Sequence, residues 1–230
     1  MLTVSDLNQY YGQSHILRDV ALNIPPGRCV CVMGRNGVGK TTLLRCLMGL
    51  SPIRSGRVTF AGRDITKAKP ETRAALGIGY VPQGRQIFPV LTVEENLKLP
   101  LPWRRGGGQK IPDLIYELFP VLKDMARRRG GDLSGGQQQQ LAMARALVLN
   151  PTTLLLDEPT EGIQPNVTRD IINVVKRLVA EGLTVVEVEQ KTTVAQKVGD
   201  LYVIIDRGQV VSEGKMGDLD DETIRSLLSV

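Results

Sequence analysis

Three short stretches of this 230-residue chain hold residue types that could do chemistry. The first is Gly34-Arg35-Asn36-Gly37-Val38-Gly39-Lys40-Thr41-Thr42, which fits G-x-x-x-x-G-K-[ST] with Gly34, Gly39, Lys40 and Thr41 at the fixed positions. Glycines let the backbone curl until several N–H groups converge on a phosphate chain, and the following helix aims its positive dipole end at the same point. Lys40 adds a full charge beside the outer phosphates, and the Thr41 hydroxyl can ligate Mg²⁺. The second stretch is Asp157-Glu158, delivered at the end of the apolar run Thr153-Leu154-Leu155-Leu156. The third is Leu133-Ser134-Gly135-Gly136-Gln137, where Ser134 and two glycine amides open a helix and make another anion site. One nucleotide does not need two such cradles in one chain.

The elements that must position these residues follow from periodicity. Cys29-Val30-Cys31-Val32-Met33 reads as a strand feeding the glycine loop, and Leu43-Leu44-Arg45-Cys46-Leu47 as the helix that leaves it, stopped at Gly49. Upstream, residues 1–7 and 16–24 alternate as antiparallel strands, joined through Gln9-Tyr10-Tyr11-Gly12, and Pro25-Pro26-Gly27 is a tight turn. Downstream, 55–62 reads as strand and turn, 70–76 as a short helix, and 77–81 as a strand ending at Pro82-Gln83. From Gly84 the pattern changes to helices and loops, broken at Gly106-Gly107-Gly108. Thr92-Val93-Glu94-Glu95 has capping-box spacing, and Leu114, Ile115, Leu118 and Phe119 share one helical face. A helix over 136–149 stops at Asn150-Pro151, and the unbroken apolar run before Asp157 is that of a strand buried on both faces. Helix 165–181, strands 183–188 and 201–206, a turn at Arg207-Gly208, a last strand and a helix over 222–228 complete the α/β alternation.

Composition narrows the classes. Hydrophobic content of 42% and charged content of 23% belong to a soluble, folded protein. No apolar run approaches the roughly 18 residues of a membrane helix. The opening MLTVSDLNQYYG has neither basic start nor apolar core, so no export signal is expected. The net charge of +5 is spread, and its densest runs, Arg104-Arg105 and Arg127-Arg128-Arg129, lack interleaved aromatics, which argues against nucleic acid. Three cysteines form no C-x-x-C; Cys29 and Cys31 share a strand face and Cys46 sits on a helix, as small buried hydrophobes do.

Together, GRNGVGKTT, LSGGQ and LLLDEP resemble the ATP-binding cassette (ABC) ATPases, essentially from end to end. The resemblance implies an α/β fold: a P-loop NTPase core with an N-terminal antiparallel β subdomain over 1–83 and 150–230, and an inserted α-helical subdomain carrying the signature over 84–149. It implies ATP bound by residues 34–42 with Mg²⁺ on Thr41, Asp157 and Gln83, adenine on Tyr11, and Glu158 as general base. Tyr11 packing in the small sheet is the other reading. In this family the segment from Ser134 through Gly135 and Gly136 to Gln137 faces the nucleotide of a partner cassette, and the junction at Gln83 couples to the membrane partner.

Two departures stand out. The family usually carries a histidine after the strand that follows the Asp-Glu pair, but the only histidine here is His15, and alignment puts Gln190 in that place. Glutamine donates a hydrogen bond but carries no proton near neutral pH. The second departure is Glu161-Gly162-Ile163-Gln164, where an aspartate is often last.

EGIQPN, Val188-Glu189-Gln190 and the block from Gly84 to Leu97 resemble the ATPases of branched-chain amino-acid and urea importers, with GRNGVGKTT and VPQGRQIFP tilting toward the urea type. That pattern implies a sister cassette, two membrane permeases and a periplasmic solute-binding protein, with this chain at the cytoplasmic face of the membrane. A regulatory or DNA-associated cassette is the rival of another class; a long coiled-coil insertion, a tandem cassette and an added nucleic-acid domain are all missing from the sequence. An ATP-sensing module that does not hydrolyse is the third reading, and Glu158 argues against it.

Overall fold

A computed structural model describes residues 1–228. Its elements alternate as β1 (Leu2–Tyr11), β2 (Ser14–Ile24), β3 (Cys29–Met33), α1 (Lys40–Met48), β4 (Ser55–Phe60), β5 (Arg63–Asp64), α2 (Pro70–Leu76) and β6 (Ile78–Val81). A helical stretch follows: α3 (Val93–Lys98), α4 (Asp113–Leu118), α5 (Pro120–Asp124) and α6 (Gly135–Val148). The chain then returns through β7 (Thr153–Asp157), α7 (Pro165–Ala180), β8 (Thr184–Glu189), α8 (Thr192–Val198), β9 (Leu201–Asp206), β10 (Gln209–Lys215) and α9 (Asp221–Leu227).

Two sheets form. The larger has the order β10-β9-β3-β8-β7-β6, parallel except for β10. The smaller is antiparallel, ordered β2-β1-β4-β5. The period of two along a strand decides which core each residue joins. On β3, Cys29, Cys31 and Met33 face the helices α6, α7 and α8, while Val30 and Val32 face α1 and the small sheet. Cys46 is buried on that second side. The large sheet is therefore covered on both faces, as parallel sheets require.

The order has a functional consequence. β8 lies between β3 and β7, so the carboxyl ends of three neighbouring strands release the glycine loop, Gln190 and Asp157-Glu158 side by side, with Gln83 beyond the end of β6. Open parallel sheets place ligands at that edge.

Some local expectations need correction. Tyr10 and Tyr11 do not join two strands; they are the end of β1, and the turn is Gly12-Gln13. Ordering extends that far because Tyr10 stacks on His15 with ring centroids 4.1 Å apart and His15 Nε2 pairs with Asn8 Oδ1 at 2.9 Å. Leu114 does not share the buried face of Ile115, Leu118 and Phe119: it is 37% exposed, and Phe119 itself lies beyond the end of α4, at φ −132°. Helix α8 carried too short an apolar pattern to be expected. Thr92 and Glu95 do form the capping box.

Candidate functional site

Two of the glycines in the loop leave no room for a side chain. A Cβ at Gly34 would run into the Ile205 carbonyl, and one at Gly39, at φ 111°, would stand 2.8 Å from the Leu17 side chain. Only glycine adopts such φ values without strain. Lys40 is buried, and its ammonium donates to the carbonyls of Gly34 at 2.8 Å and Arg35 at 2.9 Å. Burial lowers its pKa from the usual lysine value, against the opposing pull of Glu158, Asp157 and Glu189. Val38 turns its side chain toward Gly34, into packing, so what it can offer a ligand is backbone.

A cleft of about 370 Å³ opens over this loop. It is lined by Tyr11, Asn36, Gly37, Gly39, Lys40, Thr41, Thr42, Gln83, Glu158 and Gln190, together with Ile16 and Glu161. Drawn from segments far apart in sequence, these side chains meet only through the fold. Tyr11 is half exposed, and its hydroxyl is tied to Ser51 Oγ at 3.2 Å, which fixes one end of the ring.

Asp157 lies just behind the cleft, almost fully buried. Its Oδ1 accepts from Thr41 Oγ1 at 3.0 Å and its Oδ2 from Tyr80 at 3.3 Å. Burial raises its pKa, and the hydrogen bonds from Thr41 and Tyr80 and the charge of Lys40 hold it down. The hydroxyl and carboxylate form a pair of hard oxygens of the kind small divalent cations prefer. Tyr80 escaped the sequence reading; its place three residues before Gln83 on β6 was the available signal.

Glu158 begins the loop after β7 in the left-handed region, at φ 50°. Its carboxylate is held between two amides: Gln190 Nε2 donates to Oε1 at 2.6 Å and Gln83 Nε2 to Oε2 at 3.1 Å. The Gln83 amide is shared, since it also donates to Glu161 Oε2 at 2.8 Å. Burial raises the Glu158 pKa, with the Gln190 hydrogen bond and Lys40 acting in the opposite sense. A carboxylate whose pKa is raised by burial and that is fixed beside the glycine loop is equipped to take a proton from water.

Ser134, Gly135, Gly136 and Gln137 do not line this cleft. Ser134 caps α6: Gln137 N–H donates to its Oγ at 3.3 Å, and its own N–H donates to Gln137 Oε1 at 2.9 Å. Such a reciprocal cap stabilises a helix start by about 1 kcal/mol. A Cβ at Gly136 would meet Val167 of α7 at 2.9 Å, so this glycine also permits close packing of α6 on α7.

Similarity to known proteins agrees with this geometry. The sequence model of the ABC transporter family matches residues 17–161. The chain belongs to the ABC transporter family. This cassette is 37% identical over 212 residues, 92% of its length and 91% of the relative's, to the high-affinity branched-chain amino acid transport ATP-binding protein BraG of Pseudomonas aeruginosa. It is 38% identical to the probable branched-chain amino acid transport ATP-binding protein LivF of Archaeoglobus fulgidus, covering 95% and 94% of the two chains. Among solved structures it superposes on the cassette MJ0796, described as a dimer in a post-hydrolysis state bound to ADP and Pi. There the TM-score is 0.85 at 30% identity, covering 94% of this chain and 99% of that one. The cassette is an ATP hydrolase with the α/β fold, antiparallel subdomain and helices of its family.

Proposed function

We propose that this cassette drives uptake of a small solute as one half of an ATP sandwich, docked on membrane permeases at the cytoplasmic face. The observation that carries the reading is the separation of its two phosphate cradles: Asn36, Gly37 and Gly39 to Thr42 line the cleft with Glu158, and Ser134 to Gln137 do not. Two copies, or this chain and a sister cassette, would complete each other's sites. The solved MJ0796 dimer supports that arrangement. No helix among the described residues is long and apolar enough to cross a membrane.

In this reading the loop amides and Lys40 hold the phosphates, Tyr11 stacks on adenine, and Glu158 accepts the proton of the attacking water. Gln83 and Gln190 orient the Glu158 carboxylate. Thr41 and Asp157 fit Mg²⁺: their oxygens stand 3.0 Å apart. The described residues hold no cluster of three His, Cys, Asp or Glu that would make an all-protein cage. Thr41 and Asp157 would hold the ion, and its charge would supply electrostatic stabilisation of the phosphoryl group being transferred.

The solute is a branched-chain or similar amino acid, as the names of BraG and LivF favour. Urea or a short amide is the second reading, resting on the GRNGVGKTT and VPQGRQIFP resemblance alone; a periplasmic binding protein would deliver either. Assembly is tested by sedimentation of the Glu158→Gln chain with and without Mg·ATP, alone and with candidate sister cassettes. Hydrolysis is measured in parallel. An ATP-dependent dimer, with turnover at least about a hundredfold below wild type, is the expected result. A chain that stays monomeric in every mixture would overturn the sandwich.

A further inference from the structure

Directly after Gln83 the backbone runs through three consecutive left-handed residues, Gly84 at φ 81°, Arg85 at φ 69° and Gln86 at φ 44°. The Gln86 N–H donates back to the Gly84 carbonyl at 2.7 Å, closing a γ-turn about Arg85. With positive φ at its centre this is the rare, strained form of that turn. Strain of this kind persists only where the surroundings over-determine it.

Helix α6 supplies those surroundings. Arg85 Nη1 donates to Gln138 Oε1 at 3.4 Å, and two turns along the same face Arg145 Nη1 donates to the Gln86 carbonyl at 2.9 Å. The Arg145 guanidinium also lies 4.6 Å over the Phe88 ring. The Arg85 guanidinium occupies the space that a side chain at position 135 would need: a Cβ on Gly135 would stand 2.6 Å from Nη1 and 2.9 Å from Nη2. The same Nη2 is 4.0 Å from the Cβ position of Gly162, in the loop that follows Glu158. Its location is not one that charge alone selects. The first turn of α6 has no acidic residue, the helix dipole opposes a cation there, and Arg85 makes no ion pair among the described residues.

We propose that Arg85 is a positioning residue that transmits occupancy of this chain's own cleft to the Ser134–Gln137 start of α6, which serves the partner's nucleotide. The proposal deepens the sandwich reading and rests on it. Gln83, which donates to Glu158 and Glu161, reports the state of the cleft; the strained turn converts its movement into movement of Arg85. The guanidinium then bears on Gly135 and Gln138. Glycine at position 135 thus has a task within its own chain, admitting Arg85, besides any approach to a phosphate from outside.

The test is hydrogen–deuterium exchange of peptides spanning 133–140 in the full chain. It is kept dilute and shown monomeric by light scattering, with and without a non-hydrolysable Mg·ATP analogue. Expected in the wild type is at least a threefold change in exchange on binding. Arg85→Ala binds the analogue within twofold of wild type and loses that change. Gly135→Ala, whose methyl displaces the guanidinium, loses it too. Arg85→Gln repeats the measurement if the alanine variant melts early, and Arg85→Lys, lacking the fork, restores the response only in part. A response of unchanged size in Arg85→Ala, or none in the wild type, would overturn the proposal. The sandwich itself is judged separately by sedimentation of Glu158→Gln, so the two can fail independently.

Discussion

Gln190 donates its side-chain amide to Glu158 Oε1 across 2.6 Å, the shortest of the polar contacts around that carboxylate. This hydrogen bond fixes the carboxylate proposed as proton acceptor and stabilises its charged form. A hydrogen bond to the ionised carboxylate lowers its pKa, so removing the bond raises it. Gln190→Ala should move the acid limb of the kcat/KM profile for ATP hydrolysis to higher pH. The loss of rate is then larger near pH 6 than near pH 8. A uniform loss at all pH values would instead assign Gln190 to phosphate binding.

Tyr80 acts one step behind the cleft, donating to the Asp157 oxygen that Thr41 does not use. Partners that orient metal-binding carboxylates typically contribute 10- to 100-fold in affinity. Tyr80→Phe is therefore expected to raise the Mg²⁺ concentration giving half-maximal hydrolysis by about tenfold. Saturating Mg²⁺ should restore most of kcat. Magnesium titrations at fixed ATP check this.

Glu187 sits on β8 facing Cys31, almost fully buried, and its Oε2 has no hydrogen-bond partner. Burial pushes its pKa well above the ordinary carboxylate value, and Glu189 adds to the effect. The folded state therefore holds a proton that the unfolded chain releases at lower pH. Stability is fully present below the ordinary carboxylate range and falls as pH rises from there through the raised folded value. Glu187→Leu should flatten that decline. Guanidinium midpoints at pH 5 and pH 8 give the comparison, and the gain of the variant over wild type should be larger at pH 8.

Arg73 is the largest fully buried side chain among the described residues, and each of its three nitrogens donates to a backbone carbonyl. It reaches Ala68 at 3.0 Å, Cys46 at 2.7 Å, Leu47 at 2.8 Å and Thr66 at 2.9 Å, tying the C-terminus of α1 to the approach of α2. Arg73→Ala strands several buried acceptors, at about 1–3 kcal/mol each where water cannot replace the donor. A total loss of about 3–5 kcal/mol is expected from urea unfolding, with an unchanged nucleotide affinity in the protein that remains folded.

Much of this was legible before any coordinates. The loop 34–42 announced its own chemistry, because a phosphate cradle is local: its donors are successive amides and the next lysine. The strand before Asp157 was legible for a similar reason, since a residue buried on both faces leaves an unbroken apolar run. Helix α2 and the Thr92 cap also followed from nearest neighbours. Tyr80, Glu161 and Ile16 were missed as site residues: Tyr80 and Glu161 stand three positions from Gln83 and Glu158, yet only the fold brings Tyr80 to Asp157, and Glu161 and Ile16 to the cleft.

What the chain's letters determined by themselves were those short-range matters, period, caps, turns and the glycine loop, together with family membership through motifs of fixed spacing. Tertiary structure decided the rest. Only the placement of β8 between β3 and β7 brings Gln190 to Glu158, and only the fold of 84–88 along α6 sets Arg85 against Gly135. Strand order and long-range docking are settled by burial of whole faces against one another, a sum over distant residues that no local window of sequence contains.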